Sequence, residues 1–230
     1  MFLDPLYIIL VIPFVLLALV AQMMVSSSFR KYSALPTTSG MSGYDSARMV
    51  LDRHGLQHVA IEEIPGDLTD HFDPRTNVIR LSTAVYRGRN AAAVGVAAHE
   101  AGHAVQYAQE YVPMKIRAAI IPATNIGANL SVPLLLIGIL SSYPPLAYAG
   151  VLAFALSTLF QLVTLPVEFN ASRRALSVIG DCGRFSEEET KASRKVLRAA
   201  AMTYVAALAV SLANLLRLII IAGGVGRRRD

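Results

Sequence analysis

The sequence predicts a mainly α-helical protein that crosses a membrane several times. Hydrophobic residues make up 54% of its 230 residues and charged residues only 16%, whereas soluble domains contain about 25% charged residues. The mean hydropathy is +0.48. The apolar residues are also gathered into runs of about 20, the length of helix that crosses the hydrocarbon core of a bilayer. The single cysteine excludes an internal disulfide and any metal site built from several thiolates.

Four apolar runs are candidate spans. They cover about residues 5–25, 118–140, 146–167 and 199–222. The first run is uncharged and is followed by Arg30 and Lys31, so we expect a retained anchor and not a cleaved signal peptide, with the next segment in the cytoplasm. Only the uncharged turn 141–145 joins the second run to the third, which predicts a helical hairpin. The fourth run contains Asn214 and Arg217, and whether it crosses the membrane stays open.

Two polar segments, 26–117 and 168–198, remain outside the spans. The predicted hairpin returns the chain to its original side, so both segments lie on one membrane face and can build one site. We therefore expect a single unit over 1–230. The net charge of +5 is modest, and arginines beside apolar runs suit anionic lipid headgroups better than a nucleic-acid groove.

A metal-binding pattern lies in a predicted helix that starts after Asn90, a favourable N-cap. The segment His99-Glu100-Ala101-Gly102-His103 has the form H-E-x-x-H. Residues four apart share a helix face, so the two imidazoles can bind one tetrahedral Zn²⁺, and Glu100 can take a proton from the catalytic water. The alternative is a pair of solvated histidines beside a solvated glutamate. The small apolar neighbours argue against it, because ionisable groups on a buried helix are costly without a metal.

A catalytic zinc needs a third protein ligand, and no third histidine follows the motif. We predict Glu168, which follows the hairpin and so lies on the same membrane side as the motif. Pro166 suits the first turn of a helix that starts as the chain leaves the membrane, which would put Glu168 in that turn. An acid in that position could also simply complement the helix dipole.

A short strand is predicted over 77–82. Its residues Asn77, Val78, Ile79, Arg80 and Leu81 are a candidate edge for an extended peptide bound by backbone pairing. A strand that only packs against the active-site helix is an equal alternative. Tyr204 could donate a hydrogen bond to a transition-state oxyanion, although a buried core tyrosine explains it as well.

Three segments carry a family resemblance. The runs DHFDPRTNVIRLSTAVYRG, AAVGVAAHEAGHAVQ and LPVEFNASRRAL closely resemble the YugP-like membrane zinc metallopeptidases of bacteria, and the resemblance extends over most of the chain. It implies a gluzincin-like active site with His99 and His103 as ligands, Glu100 as base and Glu168 as the third ligand.

The resemblance also identifies a departure from the pattern. Membrane peptidases of this broader group often carry an aspartate four residues after the ligand glutamate, where it orients a zinc-bound imidazole. This chain has Ser172 at that position, and a neutral hydroxyl supports an imidazole less strongly than a carboxylate. Asp73 is a possible substitute.

The predicted fold is thus a multi-span α-helical membrane protein with a gluzincin-like active-site helix pair and a short β-strand or hairpin element on the cytoplasmic side. The predicted function is a zinc-dependent endopeptidase of the bacterial plasma membrane, with one Zn²⁺ per chain and its site near the cytoplasmic face. Expected partners are a protein or peptide substrate and the lipid bilayer, but no nucleic acid.

The alternative function is a catalytically silent metal-binding scaffold or adaptor, although such a site has no need of a base. A metal transporter ranks last, because the first three spans lack ionisable residues.

Overall fold

The computed structural model of the chain describes residues 4–226 and is mainly helical. A π-helical stretch, Tyr7–Val11, leads into the first α-helix. The α-helices are α1 (Ile12–Ser33), α2 (Gly43–Arg53), α3 (Thr83–Tyr86), α4 (Ala91–Ala108), α5 (Val112–Leu140), α6 (Pro144–Asp181) and α7 (Glu187–Gly226). The strands are β1 (Ala60–Ile64), β2 (His71–Asp73) and β3 (Val78–Ser82).

Four helical segments are long and apolar enough to cross a membrane. They are Tyr7–Ser33, Val112–Leu140, Pro144–Asp181 and Glu187–Gly224. Each predicted apolar run overlaps one of these segments over nearly its whole length, so the mainly helical fold class with several candidate spans is confirmed. The helices are longer than the runs, because polar residues continue α6 and begin α7 outside the apolar stretches.

The predicted helix start at Pro166 is wrong. α6 runs from the hairpin turn through Pro166 to Asp181 without interruption, so Glu168 lies in a helix interior and not in a first turn. A proline removes one backbone hydrogen bond from a helix. A membrane helix tolerates this loss, because neighbouring groups and small local adjustments satisfy the freed carbonyl. α5 likewise runs through Pro122 and Pro133.

The described chain forms two compact units. The apolar unit comprises 4–21, Lys115–Leu165 and 203–226, and the polar unit comprises Gln22–Met114 and Pro166–Met202. The polar unit contains the H-E-x-x-H helix, the strands and the part of α6 that carries Glu168. The apolar unit contains most of the hairpin.

Within the apolar unit, α5 and α6 pack closely at glycines. A Cβ on Gly138 would lie 2.3 Å from the backbone nitrogen of Ala147, and one on Gly127 would lie 2.5 Å from the carbonyl oxygen of Ala153. Helices in lipid associate through close packing of this kind, because apolar burial contributes little there. Small residues therefore hold the hairpin together.

α4 forms the centre of the polar unit. Asn90 caps its first turn through the side-chain oxygen, as the sequence predicts. Its small residues let other helices approach closely: Ser193 of α7 donates its hydroxyl to the carbonyl of Ala91 at 2.8 Å, and a Cβ on Gly102 would lie 2.6 Å from the carbonyl oxygen of Ala171 in α6. The alanine-rich composition thus allows α4 to be buried between neighbours.

The strands form one small sheet in the order β1-β3-β2. β3 pairs with β1 in parallel along its whole length and with β2 in antiparallel fashion over Val78–Arg80. The prediction of a strand near 77–82 is confirmed, but the prediction that it is an exposed edge is wrong. Val78, Ile79, Arg80 and Leu81 lie in the central strand, and Asn77 lies in the turn before it with a φ of 56°. Flanking segments too short or too polar to be recognised as strands supply the two edges.

Candidate metal centre

α4 and α6 bring two imidazoles and a carboxylate to one point. The Nε2 atom of His99 lies 3.3 Å from Oε2 of Glu168, and Nε2 of His103 lies 3.6 Å from the same oxygen. The two rings are one helical turn apart, with their centroids 4.7 Å from each other. One ligand atom from each of the three residues lies within 4.8 Å of the other two. This group could hold a metal ion.

A close helix contact positions this group. Gly102 stands next to His103, and Ala171 is three residues after Glu168 on α6. Because a side chain at position 102 would collide with the backbone of Ala171, only glycine lets the two helices approach this closely. The glycine in the second variable position of the motif therefore determines how near Glu168 comes to the histidines.

Gln106 orients the ring of His103. Its amide nitrogen donates to the carbonyl of Val167 at 2.8 Å and to Oδ1 of Asn170 at 3.0 Å, so its Oε1 atom faces Nδ1 of His103, 3.0 Å away. An amide oxygen can only accept a hydrogen bond, and Nδ1 must therefore carry the proton. A neutral His103 then turns the lone pair of Nε2 toward Glu168.

Ser172 lies beside the other imidazole. Its Oγ atom is 3.0 Å from Nδ1 of His99, and a hydroxyl oxygen can accept a hydrogen bond from that nitrogen. The Nε2 lone pair of His99 is then directed to the same point as that of His103. Hydrogen bonds to the outer ring nitrogen orient metal-binding histidines in this way.

The electrostatics of this pocket favour a bound cation. Two imidazole lone pairs that face the carboxylate of Glu168, which is only 3% exposed, repel it unless a positive charge lies between them. Burial lowers the pKa of His103, but the hydrogen bond to Glu168 and the charge of Glu100 outweigh burial and leave that pKa raised. Either a proton or a metal ion can therefore relieve the repulsion.

The donor set fits zinc. Ligand atoms at 2.0–2.2 Å from a tetrahedral Zn²⁺ lie roughly 3.3–3.5 Å from one another, and the two nitrogen-to-oxygen distances are 3.3 and 3.6 Å. Two imidazoles and one carboxylate also match the donors that catalytic zinc sites use, with a fourth position left for water or substrate.

Glu100 is buried on α4 directly after His99. One of its carboxylate oxygens accepts a hydrogen bond from the backbone N–H of Phe72 in β2, at 3.0 Å. Burial is the largest influence on this carboxyl and raises its pKa, although the two neighbouring histidines oppose the shift. A carboxyl group with a raised pKa is suited to accept and return a proton near neutral pH.

Comparison with known proteins agrees with this geometry. The model of a family described as "Putative neutral zinc metallopeptidase" matches residues 7–223. The chain belongs to this family. A protein of Bacillus subtilis (strain 168) named "Putative membrane protease YugP" is 45% identical over 201 residues, which cover 87% of this chain and 89% of that protein. The resemblance inferred from the three sequence segments is thereby confirmed. No solved structure matches the chain.

Two other predicted site residues are Asp73 and Tyr204. Both oxygens of Asp73 are engaged in the β2–β3 turn, where they accept hydrogen bonds from the backbone of Arg75, the hydroxyl of Thr76 and the guanidinium of Arg80. These bonds, led by the one from the Arg75 backbone, lower the pKa of Asp73 to about 2. Asp73, the last residue of β2, therefore stabilises the β2–β3 turn and is not the partner of an imidazole. Tyr204 lies half-buried in α7, within the apolar unit.

Two groups that contact His103 and Glu100 were not predicted from the sequence. Gln106 follows His103 by three positions, so helical spacing alone places it on the same face. That signal was available in the sequence. The backbone N–H of Phe72 carries no sequence signal, because its contact with Glu100 depends on how β2 packs against α4.

Proposed function

We propose that this protein is a zinc-dependent endopeptidase that hydrolyses peptide bonds at a membrane. His99, His103 and Glu168 hold one Zn²⁺ per chain, and Glu100 acts as the general base. The observation that carries the proposal is the convergence of the two Nε2 atoms on Glu168, while Ser172 and Gln106 engage the two Nδ1 atoms. Family membership supports the same activity.

Two imidazoles and one carboxylate leave a fourth position of a bound zinc ion open for water or substrate. When bound, zinc supplies a Lewis acid that activates water at neutral pH and polarises the scissile carbonyl. Gln106 holds the ring of His103 in the protonation state that leaves Nε2 free for the metal, and Ser172 can accept a hydrogen bond from Nδ1 of His99 with the same effect. The helix contact at Gly102 keeps Glu168 within reach of both rings.

Glu100 performs the proton transfers. Its carboxylate takes a proton from the water that attacks the peptide carbonyl, and it returns that proton to the amine that leaves when the C–N bond breaks. The backbone N–H of Phe72 fixes one oxygen of this carboxylate, which leaves the other for the water. A silent scaffold has no use for a buried carboxylate in this position, so the peptidase is the better hypothesis.

The substrate is an extended peptide in this proposal. β2 is an edge strand of the sheet, and the N–H of Phe72 points away from β3 to Glu100. The outer edge of β2, and not the central strand β3, therefore faces the catalytic carboxylate. A peptide that lies along this edge can pair with backbone groups while its scissile bond is next to Glu100.

The decisive experiment compares Glu100→Gln with the wild-type protein. Purified full-length protein is assayed with a fluorogenic peptide library, and its zinc content is measured by mass spectrometry of the metal. We expect hydrolysis to fall by about 10²–10⁴-fold, with zinc content unchanged. Glu188→Gln, which neutralises an exposed acid at the start of α7, is the matched control. Wild-type activity in Glu100→Gln would reject the mechanism and favour the scaffold.

We further propose that the polar segments 26–117 and 168–198 form the catalytic part on the cytoplasmic face and that α7 crosses the membrane. The positive charges after the first span support this orientation. The contact of Asp4 with Arg217 supports the crossing, because it neutralises the one charge in the apolar run of α7.

Cysteine labelling tests this topology. The only cysteine, Cys182, lies in the turn after α6, and we expect a membrane-impermeant maleimide to label it only after the cells are permeabilised. In a Cys182→Ser background, Ser141→Cys in the hairpin turn and Gly224→Cys near the end of α7 should be labelled in intact cells. Labelling of Gly224→Cys only after permeabilisation would show that α7 does not cross.

A further inference from the structure

A second charged feature of the polar unit lies outside the metal centre. Residues of α1 and α7 line a groove of about 570 Å³. Three of its lining residues are the cations Lys31, Lys195 and Arg198, and all three side chains are exposed. Among the described residues that line this groove, none is an aspartate or a glutamate.

Two of the three cations in this groove, Lys31 and Lys195, lie close to the same aromatic ring. The ammonium groups of Lys31 and Lys195 lie 5.5 and 6.0 Å from the ring centroid of the same residue, Tyr32. An aromatic face attracts both of them, but two like charges on one ring repel each other. An anion between them removes that repulsion, and Arg198 on the next turn of α7 after Lys195 adds a third positive charge.

Along its length the groove changes from charged to apolar. Met24 and Met202 also line it. Met24 lies at the end of the uncharged run of α1, and Met202 lies at the start of the apolar run of α7. The cations stand on the polar side of both helices, so the groove lies at the level where each helix passes from apolar to polar sequence. In a membrane protein this is the level of the lipid headgroups.

We propose that this groove binds the headgroup of an anionic phospholipid. The phosphate lies among Lys31, Lys195 and Arg198, and the first part of the acyl chains lies along Met24 and Met202. Basic pockets between membrane helices recognise anionic headgroups in this way. A free phosphate ion uses the same three cations but leaves the apolar end of the groove without a ligand, so a lipid complements the groove better.

The neighbouring surface reinforces this charge pattern. Arg198 also lines a second groove of the polar unit, of about 680 Å³, together with Arg173 and Arg194. This groove includes one acid, Asp181, which lies 3.9 Å from Arg53 and is thereby partly neutralised. The positive field therefore extends beyond the three proposed headgroup contacts, and it attracts anionic lipid from a wider area.

A binding assay on the purified full-length protein in detergent tests the proposal. The probe is fluorescent phosphatidylglycerol, and unlabelled phosphatidylglycerol, phosphatidylcholine and inorganic phosphate are the competitors. We expect phosphatidylglycerol to compete at least about tenfold better than phosphatidylcholine. Equal competition by the two lipids would overturn the proposal. Competition by inorganic phosphate as strong as that by phosphatidylglycerol would also overturn it, because the site would then be one for a free anion.

Variants locate the binding to the groove. The triple variant Lys31→Gln, Lys195→Gln, Arg198→Gln should bind phosphatidylglycerol roughly tenfold to 100-fold more weakly. The control is a triple variant with the same net charge in which exposed arginines away from the groove are replaced: Arg75→Gln, Arg89→Gln, Arg184→Gln. The control should bind like wild type, and an equal loss in both variants would show that only net charge matters.

A charge-keeping variant covers the case in which the groove variant does not fold. Lys31→Arg, Lys195→Arg preserves the positive charges and should retain binding. Loss of phosphatidylglycerol preference in this variant, with a normal melting temperature and elution volume, would contradict a site based on charge. The assay measures lipid and not hydrolysis, so its outcome is independent of the proposed peptidase activity.

Discussion

Two clusters of charged groups, one in each unit, differ in how their charges are neutralised. In the apolar unit, Arg217 is 6% exposed and contacts the carboxylate of Asp4, the side-chain oxygen of Asn214 at 3.2 Å and the ring of Tyr7, whose centroid is 5.1 Å from the guanidinium carbon. One cation and one anion meet there, so the net charge of the pair is zero.

The metal centre in the polar unit is not balanced in this way. It brings the two carboxylates of Glu100 and Glu168 together with the imidazoles of His99 and His103. With neutral imidazoles these four side chains carry a charge of −2, which a divalent cation can cancel.

This difference between the two clusters shows how the charges of neighbouring side chains can indicate a site for an external ligand. Groups that neutralise one another, such as Asp4 and the buried Arg217, need nothing from outside the chain, and removing one of them costs stability. Buried carboxylates that lie beside two metal-binding imidazoles are instead stabilised by a bound cation. Removing one of these groups should change ligand binding more than stability.

The strongest test of this difference is Glu168→Ala. We expect the purified protein to lose its zinc and its peptidase activity, because two histidines alone provide too few ligands for a catalytic site. Metal analysis and the peptide assay measure the two effects, and the melting temperature should change little. Unchanged zinc occupancy would remove Glu168 from the ligand set.

Arg217→Ala should lower the stability of the protein and leave its zinc content unchanged. It removes the main charge partner of the Asp4 carboxylate, which is 27% exposed, and we expect a loss of up to about 3 kcal/mol in the free energy of unfolding. Thermal unfolding in lipid nanodiscs measures this loss. The zinc content per folded molecule should equal that of wild type, and a selective loss of zinc would contradict the separation of the two clusters.

A control variant and a double variant test whether the loss of stability in Arg217→Ala comes from the broken ion pair. Arg184→Ala removes an exposed arginine from the turn between α6 and α7 and should leave the melting temperature nearly unchanged. The double variant Asp4→Asn, Arg217→Gln replaces the ion pair by two neutral amides. It should recover part of the stability, because neither unpaired charge remains.

Smaller effects are expected from the residues that orient the histidines. Ser172→Ala and Gln106→Ala should each weaken zinc binding by about 10–100-fold, measured by competition with a chelator. The larger effect should come from Gln106, because it also joins α4 to α6 through Val167 and Asn170.

Two further variants distinguish a loss of His99 orientation from a general loss of protein stability. Ser172→Asp supplies a stronger acceptor to Nδ1 of His99 and should retain zinc affinity. Ser177→Ala, on the same helix, removes a hydroxyl that contacts Asp181 and should leave affinity unchanged. If Ser172→Ala bound zinc as tightly as wild type, the hydrogen bond to His99 would have no role in metal binding.

Much of the fold could be predicted because its signals are local. Apolar runs long enough to span a bilayer mark the helices, and Asn90 followed by small residues marks α4. The errors also have physical causes. Pro166 is a helix-start signal in soluble proteins, but inside a long apolar helix the single missing hydrogen bond does not end it. β1 and β2 contain too few apolar residues to be recognised as strands, so the sequence alone leaves open whether β3 is an edge or a central strand.

The sequence by itself determined which residues could bind a metal and perform the chemistry: the H-E-x-x-H spacing on one helix face, and a glutamate beyond the hairpin. Only the tertiary structure decided how those groups are held. The contact between Gly102 and Ala171, the amide orientation of Gln106 and the N–H of Phe72 at Glu100 all join segments that are distant in the chain. Such contacts depend on packing between elements, and spacing along one element does not encode them.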